Sequence, residues 1–193
     1  MPVILRYLTH PQVRIDPAVP VPQWGLSDVG RARIEAACHA PAFAATTAIV
    51  SSAEVKAVET GAVIADALGI LPAARERMHE NDRSATGFLE PAEFEQVADA
   101  FFANPEESVR GWETAAAAQA RIVAETQAVI ASHEGSGDIL LVGHGGVGTL
   151  LYCHFAGLAI DRSHDQPAGG GNVFAVDPES GAILHGWTPL EAL

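Results

Sequence analysis

Two histidines follow apolar segments of this chain. His10 comes directly after the run Val3–Thr9, and His144 lies in the segment GHGGVG, which follows the run Asp138–Val142. If the two runs form neighbouring strands, both imidazoles lie at the carboxyl edge of a sheet, where α/β proteins bind their ligands. One ring could attack phosphorus through a neutral nitrogen, and the other, protonated, could donate hydrogen bonds to phosphoryl oxygens. The pair therefore predicts phosphoryl chemistry through a phosphohistidine.

The glycines around His144 predict an anion site. Glycines such as Gly145 let the backbone approach a ligand without interference from a Cβ, and a helix that begins there directs free N–H groups at an anion. The alternative is that these glycines serve only close strand–helix packing and that His144 is a structural hydrogen-bond donor. That alternative would be preferred for a single histidine, but the pair favours chemistry.

The same residues suggest two other kinds of site. The segment GHGGVG also fits the Gly-x-Gly-x-x-Gly fingerprint of dinucleotide-binding folds, which expects an acidic residue about 20 positions further on, in a complete βαβ unit. Here the next predicted strand ends only at Asp177, and little chain remains. A metal hydrolase could use His79, His144 and His154, but neither His-Glu-x-x-His nor Cys-x-x-Cys spacing is present.

The apolar spacing and the turn signals predict strands that alternate with helices. The predicted strands cover about 3–9, 47–51, 138–142, 173–176 and 182–185, and the predicted helices about 27–39, 53–68, 91–103, 112–133 and 149–157. This order implies an α/β three-layer sandwich in which helices flank a mostly parallel central sheet that ends in an antiparallel hairpin. The charged stretch 71–91 interrupts the pattern and predicts an inserted functional region at about 71–112.

Composition limits the domain count and the partners. With 193 residues, 48% of them hydrophobic, the chain can bury one sizeable core, so we expect a single domain, 1–193. A formal net charge of −13 argues against nucleic-acid and anionic membrane partners. The two cysteines lie in helix-like apolar patterns, which indicates buried thiols. No apolar run is long enough for a signal peptide or a membrane span. We therefore expect a cytoplasmic protein. A homodimer is compatible with the sequence.

Four segments carry a resemblance to a known family. LVGHGGVGTLL resembles the second-histidine motif of the histidine phosphatase superfamily, the branch that includes the cofactor-dependent phosphoglycerate mutases. WGLSDVGRARIEAA resembles its Leu-Ser/Thr-x-x-Gly helix start, IVSSAEVKAVETG its Ser-Ser-x-x-x-Arg-x-x-x-Thr strand and helix, and YLTH falls where the Arg-His-Gly motif belongs. The resemblance spans most of the chain and implies a phosphoglycerate mutase-like fold.

The resemblance also implies roles for individual residues. It makes His10 the nucleophile, His144 the second histidine of the pocket, and Glu80, in the segment HEND, the proton donor to the leaving oxygen. A carboxylic acid in a partly desolvated pocket beside phosphate can hold a proton near neutral pH. Asp82 is the alternative acid.

The chain departs from the family pattern at several positions. Thr9 stands where the family has an arginine, Pro11 replaces the glycine after the histidine, Asp16 occupies a position that is usually neutral, and Lys56 stands at the second arginine. Lysine binds phosphate as a point charge and lacks the bidentate fork of a guanidinium. The loss of both arginines should lower activity.

Four residues are candidate phosphate ligands. Arg14, in a proline-rich loop, and Arg83, three residues after Glu80, could each bring a guanidinium to the pocket, and Lys56 and Gly145 complete the set. For the arginines the alternative is a surface ion pair, and for Lys56 it is a solvated helix face.

These inferences lead to one predicted function and two alternatives. We expect a phosphomonoester hydrolase that acts on a small phosphorylated metabolite through a phosphohistidine, with no cofactor and no metal. The first alternative is a non-catalytic phospholigand-binding protein that kept the fold, and the second is a phosphoglycerate mutase-type phosphotransferase. Arg110, Trp112 and the segment Asp165–Pro167 stand out in the sequence but receive no role.

Overall fold

The computed structural model describes residues 2–193, and within them the chain forms six strands and five α-helices. The strands are Leu5–Thr9 (β1), Thr46–Ser52 (β2), Ala73–Arg75 (β3), Asp138–Gly143 (β4), Asn172–Val176 (β5) and Ile183–Pro189 (β6). The helices are Asp28–Ala37 (α1), Val55–Leu68 (α2), Pro91–Ala103 (α3), Ala115–Ser132 (α4) and Gly145–Ala156 (α5).

All six strands form one sheet in the order β3-β2-β4-β1-β5-β6. The first four of these strands run parallel, and β5 and β6 add an antiparallel edge. The register pairs Thr9 of β1 with Gly143 of β4, so that His10 and His144 each follow one member of the same pair. The predicted adjacency of the two histidine-bearing strands is therefore confirmed.

Side chains of the central strands point alternately into two separate cores, one on each face of the sheet. In β1, Leu5 and Tyr7 point into a core with α3, α4 and α5, and Leu8 points into a second core with α1 and α2. This alternation is the two-residue period of a strand that is buried on both faces. The predicted three-layer α/β sandwich with a mostly parallel sheet is confirmed.

Two details differ from the sequence-based expectations. The inserted segment contains a strand, β3, which is only three residues long and therefore too short to show an alternating pattern. Helix α4 begins at Ala115 rather than at Trp112, because the Thr114 hydroxyl caps it by accepting a hydrogen bond from the Ala117 N–H at 3.1 Å.

Helix α5 begins at Gly145, four positions before its predicted start at residue 149. Glycine is a poor helix former, so propensity alone placed residues 145–148 in a turn. The structure makes them the first turn of the helix, with the Gly148 N–H donating to the His144 carbonyl at 3.1 Å. His144 thus lies at the N-terminus of α5.

No helix among residues 2–193 is both long and apolar enough to span a membrane.

Candidate active site

The two histidines meet at the carboxyl end of β1 and β4. Their ring centroids are 5.3 Å apart, with an angle of 69° between the ring planes. The backbone holds them together as well, because the His10 N–H donates to the Gly143 carbonyl at 2.9 Å. The pair that the sequence predicts is therefore brought together by the fold.

His10 has a defined tautomer. Its Nδ1 lies 2.8 Å from the Pro11 carbonyl oxygen, which can only accept a hydrogen bond, so in the neutral ring Nδ1 carries the proton. The lone pair is then on Nε2. Burial, reinforced by His144, lowers the pKa of His10 to about 3. His10 is therefore neutral near pH 7, as a nucleophilic imidazole must be.

Tyr7 fixes the backbone of His144. Its hydroxyl accepts a hydrogen bond from the His144 N–H at 2.9 Å and donates to the His144 carbonyl at 3.1 Å. A Cβ on Gly143 would overlap this hydroxyl, and a Cβ on Gly148 would lie 2.6 Å from a ring carbon of Tyr7. Gly148 thus serves close packing, as the structural alternative for residues 145, 146 and 148 holds, and together with Gly143 it also helps to position a site residue.

The ring of His144 is fully buried. Neither ring nitrogen has a hydrogen-bond partner within residues 2–193, and the nearest carboxylate oxygen, Glu54 Oε1, is 3.6 Å from Nε2. Burial lowers the pKa of His144, although Glu54 and Glu80 act in the opposite direction. The imidazole is therefore neutral as it stands, and the protonated form that the sequence analysis expects would need added negative charge nearby.

Lys56 is turned into an interior ion pair. It is 3% exposed, pairs with Glu54 and donates to the Val21 carbonyl at 2.9 Å. Burial raises the pKa of Glu54, but His144 and Lys56 outweigh it and bring the value down to about 2. The charge of Lys56 is therefore neutralised at a position beside His144.

The carboxylate of Glu80 caps α5. Its two oxygens accept hydrogen bonds from the Gly146 N–H at 3.0 Å and from the Val147 N–H at 2.9 Å, and Oε1 also accepts from the Asn81 N–H at 3.0 Å. Burial raises the pKa of Glu80, but Arg83, His144 and the α5 N–H groups outweigh it, and the net pKa is lowered. The carboxylate is thus ionised and lies at the positive end of the helix.

A cavity of about 520 Å³ opens beside the histidines, and its wall includes His10, Glu80, Arg83, Phe94, Gly145 and Gln166. The guanidinium carbon of Arg83 lies 5.1 Å from the ring centroid of Phe94 and 5.6 Å from that of Trp112. Arg83 has no ion-pair partner in the part of the chain that the structure describes. It supplies the cavity with a cation whose charge no carboxylate contacts.

Comparison with known proteins identifies the family. The model of the histidine phosphatase superfamily (branch 1) matches residues 18–185. The chain belongs to this superfamily. The match begins after His10, so the place of this residue in the site depends on the geometry given above. A search of the curated proteins found no match.

Solved structures with the same fold support the assignment. A mycobacterial glucosyl-3-phosphoglycerate phosphatase is 21% identical with a TM-score of 0.76, and 96% of each chain is covered. A phosphoserine phosphatase of Entamoeba histolytica, solved with 3-phosphoglyceric acid, is 13% identical with a TM-score of 0.79, over 99% of this chain and 100% of that one. YhfR of Bacillus stearothermophilus is 22% identical with a TM-score of 0.74, over 95% of each chain. Similarity at this level of identity shows the fold.

Four expected site residues do not border the 520 Å³ cavity of this histidine phosphatase: His144, Lys56, Arg14 and Asp82. His144 and Lys56 are buried. Arg14 is exposed in its loop and does not border the 520 Å³ cavity. Asp82 is exposed and borders a neighbouring cavity of about 750 Å³, and a hydrogen bond from the Ser84 N–H lowers its pKa. Of the two candidate acids, Glu80 is the one beside the histidines.

The residues that the sequence left without a role fall into two groups. Arg110 pairs with Glu93 at 2.5 Å on the surface, whereas Trp112 is 2% exposed in the core and borders the cavity. Gln166 borders the cavity, and its Oε1 accepts a hydrogen bond from Thr9 Oγ1 at 2.6 Å. Glu54, beside Lys56 and His144, was also missed by sequence reasoning, because nothing in its spacing distinguishes it from a solvated helix residue.

The cavity wall is not arranged as a metal site. Within residues 2–193, no group of three or more histidine, cysteine, aspartate or glutamate side chains is placed to hold a metal ion.

Proposed function

We propose that this histidine phosphatase hydrolyses phosphomonoesters through a phosphohistidine formed on His10. The observation that carries the proposal is the state of His10: its Nδ1–H donates to the Pro11 carbonyl, its Nε2 holds the lone pair, and its low pKa keeps the ring neutral. A second imidazole and the N-terminus of α5 adjoin it, and both suit an anionic phosphoryl group.

The reaction would proceed in two displacements. In the first, Nε2 of His10 bonds to phosphorus, and the bond from phosphorus to the ester oxygen breaks while that oxygen takes a proton from Glu80. In the second, the oxygen of a water molecule bonds to phosphorus while its proton passes to the Glu80 carboxylate, the bond from phosphorus to Nε2 breaks and returns the lone pair to His10, and inorganic phosphate leaves. His144 would donate a hydrogen bond to the phosphoryl oxygens, and their negative charge would raise its pKa.

The first displacement requires a protonated Glu80, whereas the side chain is ionised as it stands. A phosphoryl group beside it would oppose the carboxylate form and raise its pKa through like-charge repulsion. We propose that the arrival of the substrate supplies this shift. Glu80 would then be protonated in the enzyme–substrate complex and ionised in the free protein.

The cavity favours a particular kind of leaving group. Phe94 and Trp112, with Arg83 against both rings, form an aromatic wall that the region 71–112 contributes together with Glu80. We propose that this region binds the alcohol part of a small phosphorylated metabolite. The similar structures include phosphatases of glucosyl-3-phosphoglycerate and phosphoserine, and one of the former is known in complex with inorganic phosphate.

Hydrolysis fits the charge of the site better than phosphotransfer between two anions. The other arginine of the cavity wall, Arg162, is paired with Glu95 and Asp99, and Lys56 is paired with Glu54. Arg83 is thus left to balance the phosphoryl group. A second anionic substrate would meet no counter-charge on this wall.

One observation favours a second candidate, a non-catalytic phospholigand-binding protein. Thr9 replaces one arginine, and Lys56, at the other arginine position, is neutralised by Glu54. A site with these losses could retain affinity for a phosphoryl group while failing to stabilise the transition state. Turnover separates the two candidates.

The decisive experiment is steady-state hydrolysis of p-nitrophenyl phosphate from pH 4 to 8 with EDTA present. Wild type would be compared with His10→Gln and His144→Gln, and with His39→Ala as a control, because His39 is an exposed histidine outside the cavity. We expect turnover that resists EDTA, survives in the control and is lost in both site variants. Alkaline quenching of the wild type should trap a phosphohistidine that His10→Gln lacks, because the phosphorus–nitrogen bond is stable in alkali and labile in acid.

Other outcomes point elsewhere. A folded wild type that binds phosphate but turns over neither this ester, phosphoserine nor 3-phosphoglycerate would favour the binding protein. Turnover that survives in His10→Gln would exclude His10 as the nucleophile.

A further inference from the structure

We propose that the carboxamide of Gln166 is a ligand of the phosphoryl oxygens, and that it supplies at this site a hydrogen-bond donor that the absent arginines would otherwise provide. The inference rests on the proposed function, because it assumes a phosphoryl group beside His10. It assigns a role to a residue of the loop after α5, which does not belong to any segment that resembles a family motif.

The orientation of the Gln166 amide follows from three successive hydrogen bonds. Asn172 Nδ2 donates to the Pro167 carbonyl at 3.0 Å, and a carbonyl can only accept, so the Asn172 amide is fixed. The same Nδ2 donates at 3.0 Å to Gln166, which must therefore present its Oε1. Thr9 Oγ1 donates to this oxygen as well, at 2.6 Å. Nε2 therefore points away from Thr9 and Asn172.

The anchors of this amide are rigid. Thr9 is fully buried in β1, and Asn172 is 1% exposed at the start of β5. The loop itself is tied to α5, because Asp165 accepts hydrogen bonds from the Thr149 hydroxyl and from the Gln166 N–H, each at 2.7 Å. A donor held in this way loses little conformational entropy when it binds a ligand.

The Nε2 end of the Gln166 amide lies at the N-terminus of α5. A Cβ on Gly145 would be 2.5 Å from Gln166 Nε2, so the amide is packed directly against the first residue of the helix. Gln166, Gly145 and His10 border the same cavity, and Nε2 has no acceptor within residues 2–193. Two N–H bonds of Nε2 are thus available beside the backbone N–H of Gly145 and the nucleophile.

Thr9 is then a positioning residue. An arginine at this place would carry its own guanidinium, whereas threonine leaves room for Gln166 and holds its oxygen. The exchange replaces a charged donor by a neutral one on a wall that also carries the ionised Glu80.

The experiment measures the inhibition constant of inorganic phosphate, and kcat and KM for p-nitrophenyl phosphate, in four variants. Gln166→Met keeps the length of the side chain but removes the amide, and we expect both the affinity for phosphate and kcat/KM to fall about 10- to 100-fold, as for the loss of a hydrogen bond to a charged group. Gln166→Glu should lose phosphate binding altogether, because it adds a carboxylate. Thr9→Val should give a smaller loss, which Thr9→Ser restores.

The control is Gln96→Ala, since Gln96 is an exposed glutamine on α3 that does not border the cavity. Phosphate binding would be repeated by calorimetry, which needs no turnover. If wild type binds phosphate and Gln166→Met binds it equally well, the role of Gln166 is overturned while the proposed function stands. If folded wild type neither binds nor turns over a phosphate compound, both are overturned. A loss in Thr9→Val that Thr9→Ser does not restore would overturn the positioning role.

Discussion

Replacing Glu80 by glutamine separates its two roles, because the side chain caps α5 and is also the proposed proton donor. The substitution keeps size and shape, removes the charge and replaces one oxygen by an NH₂ group. Glu80 accepts three backbone hydrogen bonds, two of them from the first turn of α5. Glutamine has a single amide oxygen, which cannot accept all of the hydrogen bonds that the two carboxylate oxygens of Glu80 accept.

The structural cost can be worked out from these contacts. At least one charge-assisted hydrogen bond is lost, and the amide places a donor against a backbone N–H, so we expect Glu80→Gln to lower the free energy of unfolding by about 2–4 kcal/mol. The pKa of Glu80 is lowered in the folded protein, so its ionised form stabilises the fold above its ordinary pKa, and this contribution is lost as the pH falls through the lowered value. The difference between wild type and Glu80→Gln in urea unfolding should therefore stay constant from pH 7 to pH 5 and shrink only below the ordinary pKa of 4.5.

The catalytic cost depends on the leaving group. A simple alkoxide needs a proton in order to leave, so hydrolysis of an alkyl phosphate such as glycerol 2-phosphate should fall about 100- to 10,000-fold in Glu80→Gln. The p-nitrophenolate ion is a weak base and leaves without a proton, so p-nitrophenyl phosphate should lose far less. The assay compares kcat/KM for the two esters in both proteins at a temperature at which both are folded.

Equal losses for both esters would refute the acid role. Glu80 would then act on turnover only by holding α5 and, with it, His144. An unchanged stability at pH 7 would in turn contradict the capping role that the hydrogen bonds indicate.

Four further predictions concern the charges of the site. Because the pKa of His10 is about 3, kcat/KM should show no protonation of His10 between pH 5 and 8, and an NMR titration in which the His10 ring takes up a proton near pH 6.5 would contradict this. Below about pH 6.5, His10 binds a proton in the unfolded chain but not in the folded protein, so wild type should lose stability as the pH falls from 7 to 5. The His10→Gln variant should lose less stability over the same range, as measured by urea titration. Lys56→Met should lower the free energy of unfolding by about 3–5 kcal/mol because it leaves the buried Glu54 carboxylate without a counter-charge. The double variant Lys56→Met/Glu54→Leu should recover part of this, since it removes the buried charge but also the acceptor of the Glu80 N–H; no recovery would mean that the pair is not coupled. Arg83→Met should raise the inhibition constant of phosphate about 10-fold or more, because Arg83 is the unpaired cation of the wall, whereas Arg14→Met should leave it unchanged.

Local patterns in the sequence predicted most elements of this fold. The apolar runs before His10 and His144, the proline at the start of α3 and the glycine that ends α2 are each local signals, and the structure has elements at all four places. The strand β3 and the early start of α5 were missed, because three residues carry no period and glycines oppose a helix by propensity. In α5, packing against Tyr7 outweighs that propensity.

Residue types alone singled out the two histidines, and Glu80 followed from the resemblance to the family. The chain could not show that Lys56 turns towards Glu54, because one sequence admits many rotamers and only the packed interior selects one. Nor could it show that Thr9 holds Gln166, since these residues are 157 positions apart and meet only when β1, α5 and the loop after α5 assemble. The sequence thus determined which groups could do chemistry, and the tertiary structure decided which of them are neutral, which are paired and which face the cavity, because pKa, pairing and orientation depend on neighbours that are distant along the chain.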